Sequence, residues 1–170
     1  LGYDYLQIRD LMTSALSRAM SAIYIFILIG MVISSFMHSG TIATLMYYGL
    51  SLLSPSLFLA VGLLLCALMS VATGTSWGTV GTLGVVFIGI GSAMNIPLPL
   101  VAGMIVCGAT FGDKMSPISD TTNLAAMSAG TDLYRHIYSM LFTTVPAFIL
   151  TFLIFLFIGL GYADQNLALD

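Results

Sequence analysis

The sequence predicts an all-α polytopic membrane protein with discontinuous helices. Three observations predict it. Of 170 residues, 59% are hydrophobic and only 6% charged, at a mean hydropathy of +1.06. A soluble domain carries about 25% charged residues, and a chain this poor in charge cannot cover a soluble surface. Charge is also absent in long blocks: no Asp, Glu, Lys or Arg lies between Arg18 and Asp113, and none from His136 to Ala163. A helical crossing takes about 20 mostly apolar residues, so the first block holds several crossings and the second at least one. Finally, the apolar runs in the middle are short and separated by Gly, Ser, Thr and Pro, the pattern of helices interrupted at membrane depth.

In chain order, residues 3–20 set Leu6, Ile8, Leu11, Met12, Ala15 and Leu16 among Asp4, Arg9, Asp10 and Arg18. That spacing predicts an amphipathic helix at the interface, so 1–20 is read as an interfacial segment and 21–170 as the transmembrane region. Ser21 to Met37 is the first crossing, ended by His38, Ser39 and Gly40. Thr41 to Leu53 is too short to cross alone. Ser54-Pro55-Ser56 opens the next helix with Pro in its first turn. Leu57–Ala72, Val80–Met94 and Leu100–Phe111 are apolar runs each short of a crossing, parted by Thr73–Thr79 and by a turn at Asn95–Pro99. They read as re-entrant or discontinuous helices. After a polar block come Leu124–Ala129, a loop through Gly130, and a last helix capped by Asp132, with Pro146 as a kink. Arg9, Arg18 and Arg135 place the flanks of the first and last crossings on the cytoplasmic side. Gly74 and Gly78 serve the break, whereas Gly108 and Gly112 have helix-packing spacing.

Other features are less informative. The net charge of −3 gives no support for nucleic-acid binding, which needs a basic patch. Cys66 and Cys107 read as buried thiols with no metal-ligand pattern. His38 and His136 read as interface residues, and Trp77 as an interfacial anchor or a wall of the site. The chain starts at Leu1 with no evident signal peptide and reads as an excerpt of a longer protein. Secondary transporters are commonly built from two inverted repeats, and this length matches about one.

The informative segment is Gly112-Asp113-Lys114-Met115-Ser116-Pro117-Ile118-Ser119-Asp120-Thr121-Thr122-Asn123. An ordinary aqueous loop is one reading. The flanks oppose it, because a run ending at Phe111 leaves Asp113 at membrane depth. A charge at a helix centre costs roughly 2.5–3.5 kcal/mol there, so ionisable residues at that depth default to function. Gly112 suits the end of one half-helix, and Pro117 the first turn of the next, with Ser116 as its N-cap. Carbonyl ends attract cations and amide ends anions. Asp120, in the first turn of the second half-helix, forms with Thr121, Thr122, Asn123 and free carbonyls an all-oxygen set suited to sodium. Asp120, Thr121 and Asn123 are the expected sodium ligands, with Ser116 and Ser119 beside them. Desolvation favours a protonated carboxyl and a neighbouring ammonium an ionised one. Asp113, Asp120 and Lys114 therefore make a site at which sodium and protons compete, although Lys114 reads equally as a structural partner of Asp113. Thr73, Thr75, Ser76 and Thr79 either line the second break as further oxygen ligands or bond their own helix backbone.

The run Gly108-Ala109-Thr110-Phe111-Gly112-Asp113-Lys114-Met115-Ser116-Pro117-Ile118-Ser119-Asp120-Thr121-Thr122-Asn123-Leu124-Ala125 resembles the signature stretch of the NhaC family of sodium/proton antiporters. Thr73-Gly74-Thr75-Ser76-Trp77-Gly78-Thr79 resembles its companion upstream motif. The resemblance implies a polytopic transporter of the bacterial inner membrane and a fold of inverted repeats with a re-entrant hairpin and broken helices. It implies exchange of sodium for protons with no cofactor, and the family includes relatives that exchange malate for lactate. The partners are then sodium, protons, the lipid bilayer and the missing second half of the chain, with a homodimer left open and no nucleic acid. A carboxylate exchanger using the amides of 116–119 is the alternative. An intramembrane aspartyl protease fits poorly: Tyr3-Asp4 precedes the first crossing, and Thr110-Phe111-Gly112-Asp113 lacks the first Gly of the Gly-x-Gly-Asp that such enzymes resemble one another in. The chain is thus not read as an enzyme, and buried titratable carboxylates suit coupled transport better than a passive channel.

Overall fold

A computed structural model describes residues 2 and 4–162. The ends of the predicted interfacial segment and transport region, and Tyr3, lie outside the described residues. The described chain is helical throughout. Helix α1 is Tyr5–His38, α2 Thr41–Leu52, α3 Pro55–Thr73 and α4 Ser76–Thr79. The π-helical turn Val80–Gly84 joins α4 to α5, Val85–Ala93; then follow α6 Leu98–Met115, α7 Asp120–Ser128 and α8 Leu133–Leu160.

The stops are those the local chemistry dictates. Asp4 and Gln7 form a reciprocal capping box at the start of α1, satisfying two orphan amides. Gly40 at φ 74 separates α1 from α2. Pro55 opens α3, and Gly74 in the left-handed region closes it, a conformation that costs a residue with a Cβ. Asp132 Oδ1 accepts from Tyr134 and Arg135 N–H at the start of α8. Between Tyr5 and Ile29 there is neither Gly nor Pro, so the stretches read separately as 3–20 and 21–37 form one 34-residue helix. At 1.5 Å per residue it is roughly 50 Å long, more than the about 30 Å of a hydrocarbon core.

The expectation that the central runs are too short to span is corrected. Each run annexes its polar neighbours into the helix, giving α3, the continuous Ser76–Ala93 stretch and α6 lengths of 18 or 19 residues. With α8, four helices among the described residues are long and apolar enough to cross a membrane. Small hydroxyl residues and Gly do not break a helix whose remaining surface is apolar, because packing outweighs their weak local preference.

The core lies between α3, α5 and α6, where Phe58, Leu59, Leu63, Phe87, Ile90 and Met104 are buried. Helices α3 and α6 run parallel. Gly62 faces Met104, Cys66 faces Gly108, and Ser70 faces Gly112. A Cβ added at Gly108 would sit 2.5 Å from the Leu63 carbonyl oxygen, so glycine is what permits this approach. Ser70 fixes the register by donating its hydroxyl to the Ala109 carbonyl at 2.6 Å. This is the small-residue packing on which helices rely in lipid, where apolar surfaces have no reason to prefer each other over lipid tails. The π turn and α5 run antiparallel against α6, with Gly84 against Ile105 and Gly91 against Val101. Helix α8 returns along α6, where Phe148 stacks on Phe111 at 3.9 Å between ring centroids. Along α8, Ile149, Leu150, Leu153, Ile154 and Phe157 stay exposed, the surface a bilayer or further helices would cover.

Candidate functional site

Because α3 and α6 are parallel and in register, their C-terminal ends lie side by side. The Ser116 hydroxyl, just past α6, donates to the Val71 carbonyl of α3 at 2.8 Å. A Cβ on Gly74 would meet the Ile118 carbonyl carbon at 2.9 Å. The two polar breaks are therefore one structure.

Helix α6 carries on through Gly112, Asp113 and Lys114 to Met115, and α7 starts at Asp120 with Ser119 as its N-cap. This corrects the placement of the break at 112–116 and of the cap at Ser116. The connector is 116–119. A helix persists to Met115 because the polar side chains of its last turn find partners across the connector.

Those partners centre on Asp113, which is 5% exposed. Ser119 Oγ donates to Asp113 Oδ1 at 2.8 Å and Thr121 Oγ1 to Oδ2 at 3.1 Å. The two hydroxyl oxygens are 3.0 Å apart. Two carboxylate and two hydroxyl oxygens thus gather in one cluster, with Asp113 and Ser119 buried and Thr121 at its exposed edge. Lys114 Nζ donates to Thr121 Oγ1 at 3.3 Å, so the ammonium reaches the carboxylate through a hydroxyl. Thr122 Oγ1 donates to the Asp113 carbonyl at 3.1 Å, and Asn123 Nδ2 to the Pro117 and Ser119 carbonyls at 2.9 and 2.7 Å. These bonds fold α7 back on the connector and hold Ser119 and Thr121 over Asp113.

Asp120 lies elsewhere. It is exposed, its Oδ1 accepts from the Thr121 N–H at 2.8 Å, and with Thr121, Asn123, Leu124 and Met127 it lines an open cavity of about 390 Å³. The amides expected to be free for an anion are engaged instead: Ser116 N–H with the Asp113 carbonyl, Ile118 N–H with Ser116 Oγ, and Ser119 N–H with the Ser116 carbonyl.

In the upstream motif, Thr75 caps α4 by accepting from Gly78 N–H at 3.2 Å. Thr79, fully buried, donates to the Thr75 carbonyl at 3.0 Å, and Thr73 to Met69. The hydroxyl hydrogens of Thr73 and Thr79 follow the backbone reading, and their oxygens keep lone pairs. Ser76 starts α4, and Trp77 is 62% exposed. Sequence reasoning missed Ser70, the Val71 carbonyl and the π turn. Ser70 had a signal: Gly62-x-x-x-Cys66-x-x-x-Ser70 is the small-residue counterpart of Gly108-x-x-x-Gly112. The π turn, a feature frequent at functional sites, had none.

The profile of the Na+/H+ antiporter family matches residues 108–169, the span that begins at α6's Gly108 and holds the whole Asp113 cluster. The Na(+)/H(+) antiporter NhaC of Alkalihalophilus pseudofirmus is 48% identical over 155 residues, 91% of this chain and 34% of that protein. The Malate-2H(+)/Na(+)-lactate antiporter of Bacillus subtilis is 44% identical over 170 residues, 100% of this chain and 36% of that protein. The Na(+)/H(+) antiporter NhaC of the same bacterium is 40% identical over 169 residues, 99% of this chain and 37% of that protein. No solved structure gives a significant match. The chain spans about a third of the length of these curated relatives. With both motifs in place, this sequence is similar along its length to Na+/H+ antiporters, and its residues 108–169 match the profile of that family.

Proposed function

We propose that the chain is the cation-handling part of a transporter that exchanges sodium for protons across the bacterial cytoplasmic membrane. The observation that carries this reading is the buried Asp113 carboxylate under the Ser119 and Thr121 hydroxyls. A carboxylate there takes either a proton or sodium. When sodium binds, each hydroxyl turns its hydrogen away and offers a lone pair, giving the oxygen ligands a hard cation prefers. Competition for one site, opened alternately to the two sides, suffices for antiport. Asp120, Thr121 and Asn123 then belong to the entrance, where the exposed carboxylate attracts cations. Thr75, Ser76 and Thr79 stand at the neighbouring end of α4, and Lys114 sets the local charge. Arg135 shares this end of the bundle with the site, and the positive-inside tendency turns it toward the cytoplasm.

In this reading the chain is one inverted-repeat half, the α6–α7 interruption is its discontinuous element, and the binding site is completed by the rest of the protein. Residues 21–170 are then the transport region, and the N-terminal part of α1 lies along the interface. The bilayer and the remaining half are its partners, with a second copy of the protein a further one.

Carboxylate exchange is the second reading, favoured by the relative named for malate and lactate. The engaged amides of 116–119 leave it a poorer anion cradle at this end.

The test uses the full-length parent protein in proteoliposomes with an inside-acid pH gradient. Sodium, lithium, potassium, malate and lactate are added in turn, with Asp113→Asn and Asp120→Asn alongside. Sodium should collapse the gradient, Asp113→Asn should abolish the response, and Asp120→Asn should weaken it. Silence to sodium with a response to malate or lactate would move the protein to the second reading. Abolition by Asp120→Asn alone would move the ion to the exposed carboxylate.

A further inference from the structure

We propose that Lys114 is a tethered competitor of the transported cation: its ammonium occupies an oxygen ligand of the Asp113 site, and sodium must displace it into the cavity between α6 and α8. The inference rests on the Asp113 site being the sodium site.

The geometry begins with Thr121. Its hydroxyl carries one hydrogen, donated to Asp113 Oδ2 at 3.1 Å. What faces Lys114 Nζ, at 3.3 Å, is therefore a lone pair. A sodium ion beside Asp113 would need Thr121 to turn that hydrogen away and offer its other lone pair, on an oxygen that already holds the ammonium. Two cations crowded on one hydroxyl and one buried carboxylate repel strongly. Sodium binding and the ammonium contact therefore oppose each other.

The ammonium has reason to be there and room to leave. It is half-buried, and among the described residues its hydrogen bond is to Thr121, while the ion pair is Arg9 with Asp10. It sits in the last turn of α6, where the carbonyl end of the helix favours a cation. On its other side is a cavity of about 330 Å³ lined by Cys107, Thr110, Phe111, Lys114, Thr144 and Thr151 among others. A four-carbon stem swings between the two positions by rotamer changes alone. The hydroxyl oxygens of Thr110, Thr144 and Thr151 offer the displaced ammonium acceptors.

A tethered competitor lowers the apparent affinity for sodium by the fraction of time the site is free of it. It lets a carboxylate site built of good oxygen ligands release its ion. A purely structural Lys114, holding Thr121 in place, would do the opposite: its loss would loosen the ligand and weaken sodium.

The experiment measures equilibrium binding of radiolabelled sodium to the purified full-length protein, and the sodium KM of exchange in proteoliposomes. The proteins are wild type, Lys114→Gln, Lys114→Met and Lys114→Arg. Lys114→Gln should bind sodium more tightly and lower its KM, by about tenfold if the ammonium holds the site about 90% of the time. Lys114→Arg, which keeps the charge, should stay near wild type. Lys114→Met preserves the packing of the stem and should tighten binding as Gln does, so it decides the matter should the Gln variant not accumulate. Weaker or unchanged sodium affinity in the neutral variants, with wild type binding normally, overturns this proposal alone. A wild type that neither binds nor exchanges sodium overturns the underlying site.

Discussion

Ser116 Oγ donates to the Val71 carbonyl at 2.8 Å and accepts from the Ile118 N–H at 3.3 Å, so one buried hydroxyl ties the connector after α6 to the end of α3. Every oxygen around Asp113 is carried by the segment this hydroxyl anchors. Ser116→Ala should cost about 1 kcal/mol, because it removes two part-buried hydrogen bonds, to the Val71 carbonyl and from the Ile118 amide. The full-length protein in detergent should melt at lower temperature, and sodium exchange should fall while Lys114 and Asp113 remain intact. An unchanged melting temperature would mean that the connector is held by other contacts.

Gly112 and Gly103 lie on the same helix and should respond oppositely to one methyl group. A Cβ at Gly112 would meet Ser70 Cβ at 2.6 Å and Val71 N at 2.8 Å, whereas at Gly103 its nearest neighbour is Phe155 at 3.8 Å. Gly112→Ala should lose about 1–3 kcal/mol through overpacking, and Gly103→Ala should be neutral or slightly stabilising. Thermal unfolding of the two variants side by side checks this, and equal melting temperatures would show that α3 and α6 separate freely.

Gly74 and Gly40 both sit in the left-handed region, at φ 68 and 74. Replacement by Ala should cost each about 1–2 kcal/mol for the backbone alone. Only Gly74 also faces the connector, 2.9 Å from the Ile118 carbonyl carbon, while Gly40 has nothing within 4 Å. Gly74→Ala should therefore destabilise more and also impair exchange. Gly40→Ala should transport at the wild-type rate, and comparable exchange rates in the two variants would sever the upstream motif from the site.

Asp132 caps α8 through Tyr134 and Arg135 N–H. Asp132→Ala should cost about 1 kcal/mol, and Asp132→Asn, which keeps the acceptor, should cost little. Hydrogen exchange at those two amides is the sensitive readout: it should quicken in the Ala variant and stay slow in the Asn variant.

The sequence was legible where a single residue type settles a local question. Ser54-Pro55, Gly74 and Asp132 fall at helix ends as read, since caps and breakers act within one turn, whereas the turn read over Asn95–Pro99 is shorter because α6 already starts at Leu98. The interval that matters, 108–125, was visible as the place where charge returns to a charge-poor chain. Within it, two of the local assignments were displaced. Ser116 reads as an N-cap because Pro117 follows it, yet Ser119 holds that role. Asp120 lies in the first turn of α7, where the helix dipole favours a carboxylate, yet Asp113 is the carboxylate the fold buries.

By itself, then, the sequence determined the class of the protein, most of its helix ends and the segment that carries its polar chemistry. These depend on composition and on contacts within a turn. Tertiary structure alone decided that α3 and α6 run parallel in register, that the two motifs meet at one end of that pair, and that the shared hydroxyls fall on Asp113 with Lys114 one bond further out. The physical reason is distance along the chain. Ser116 and Val71 are 45 residues apart, and which carboxylate loses its water depends on the close approach that Gly108 and Gly112 allow between two helices.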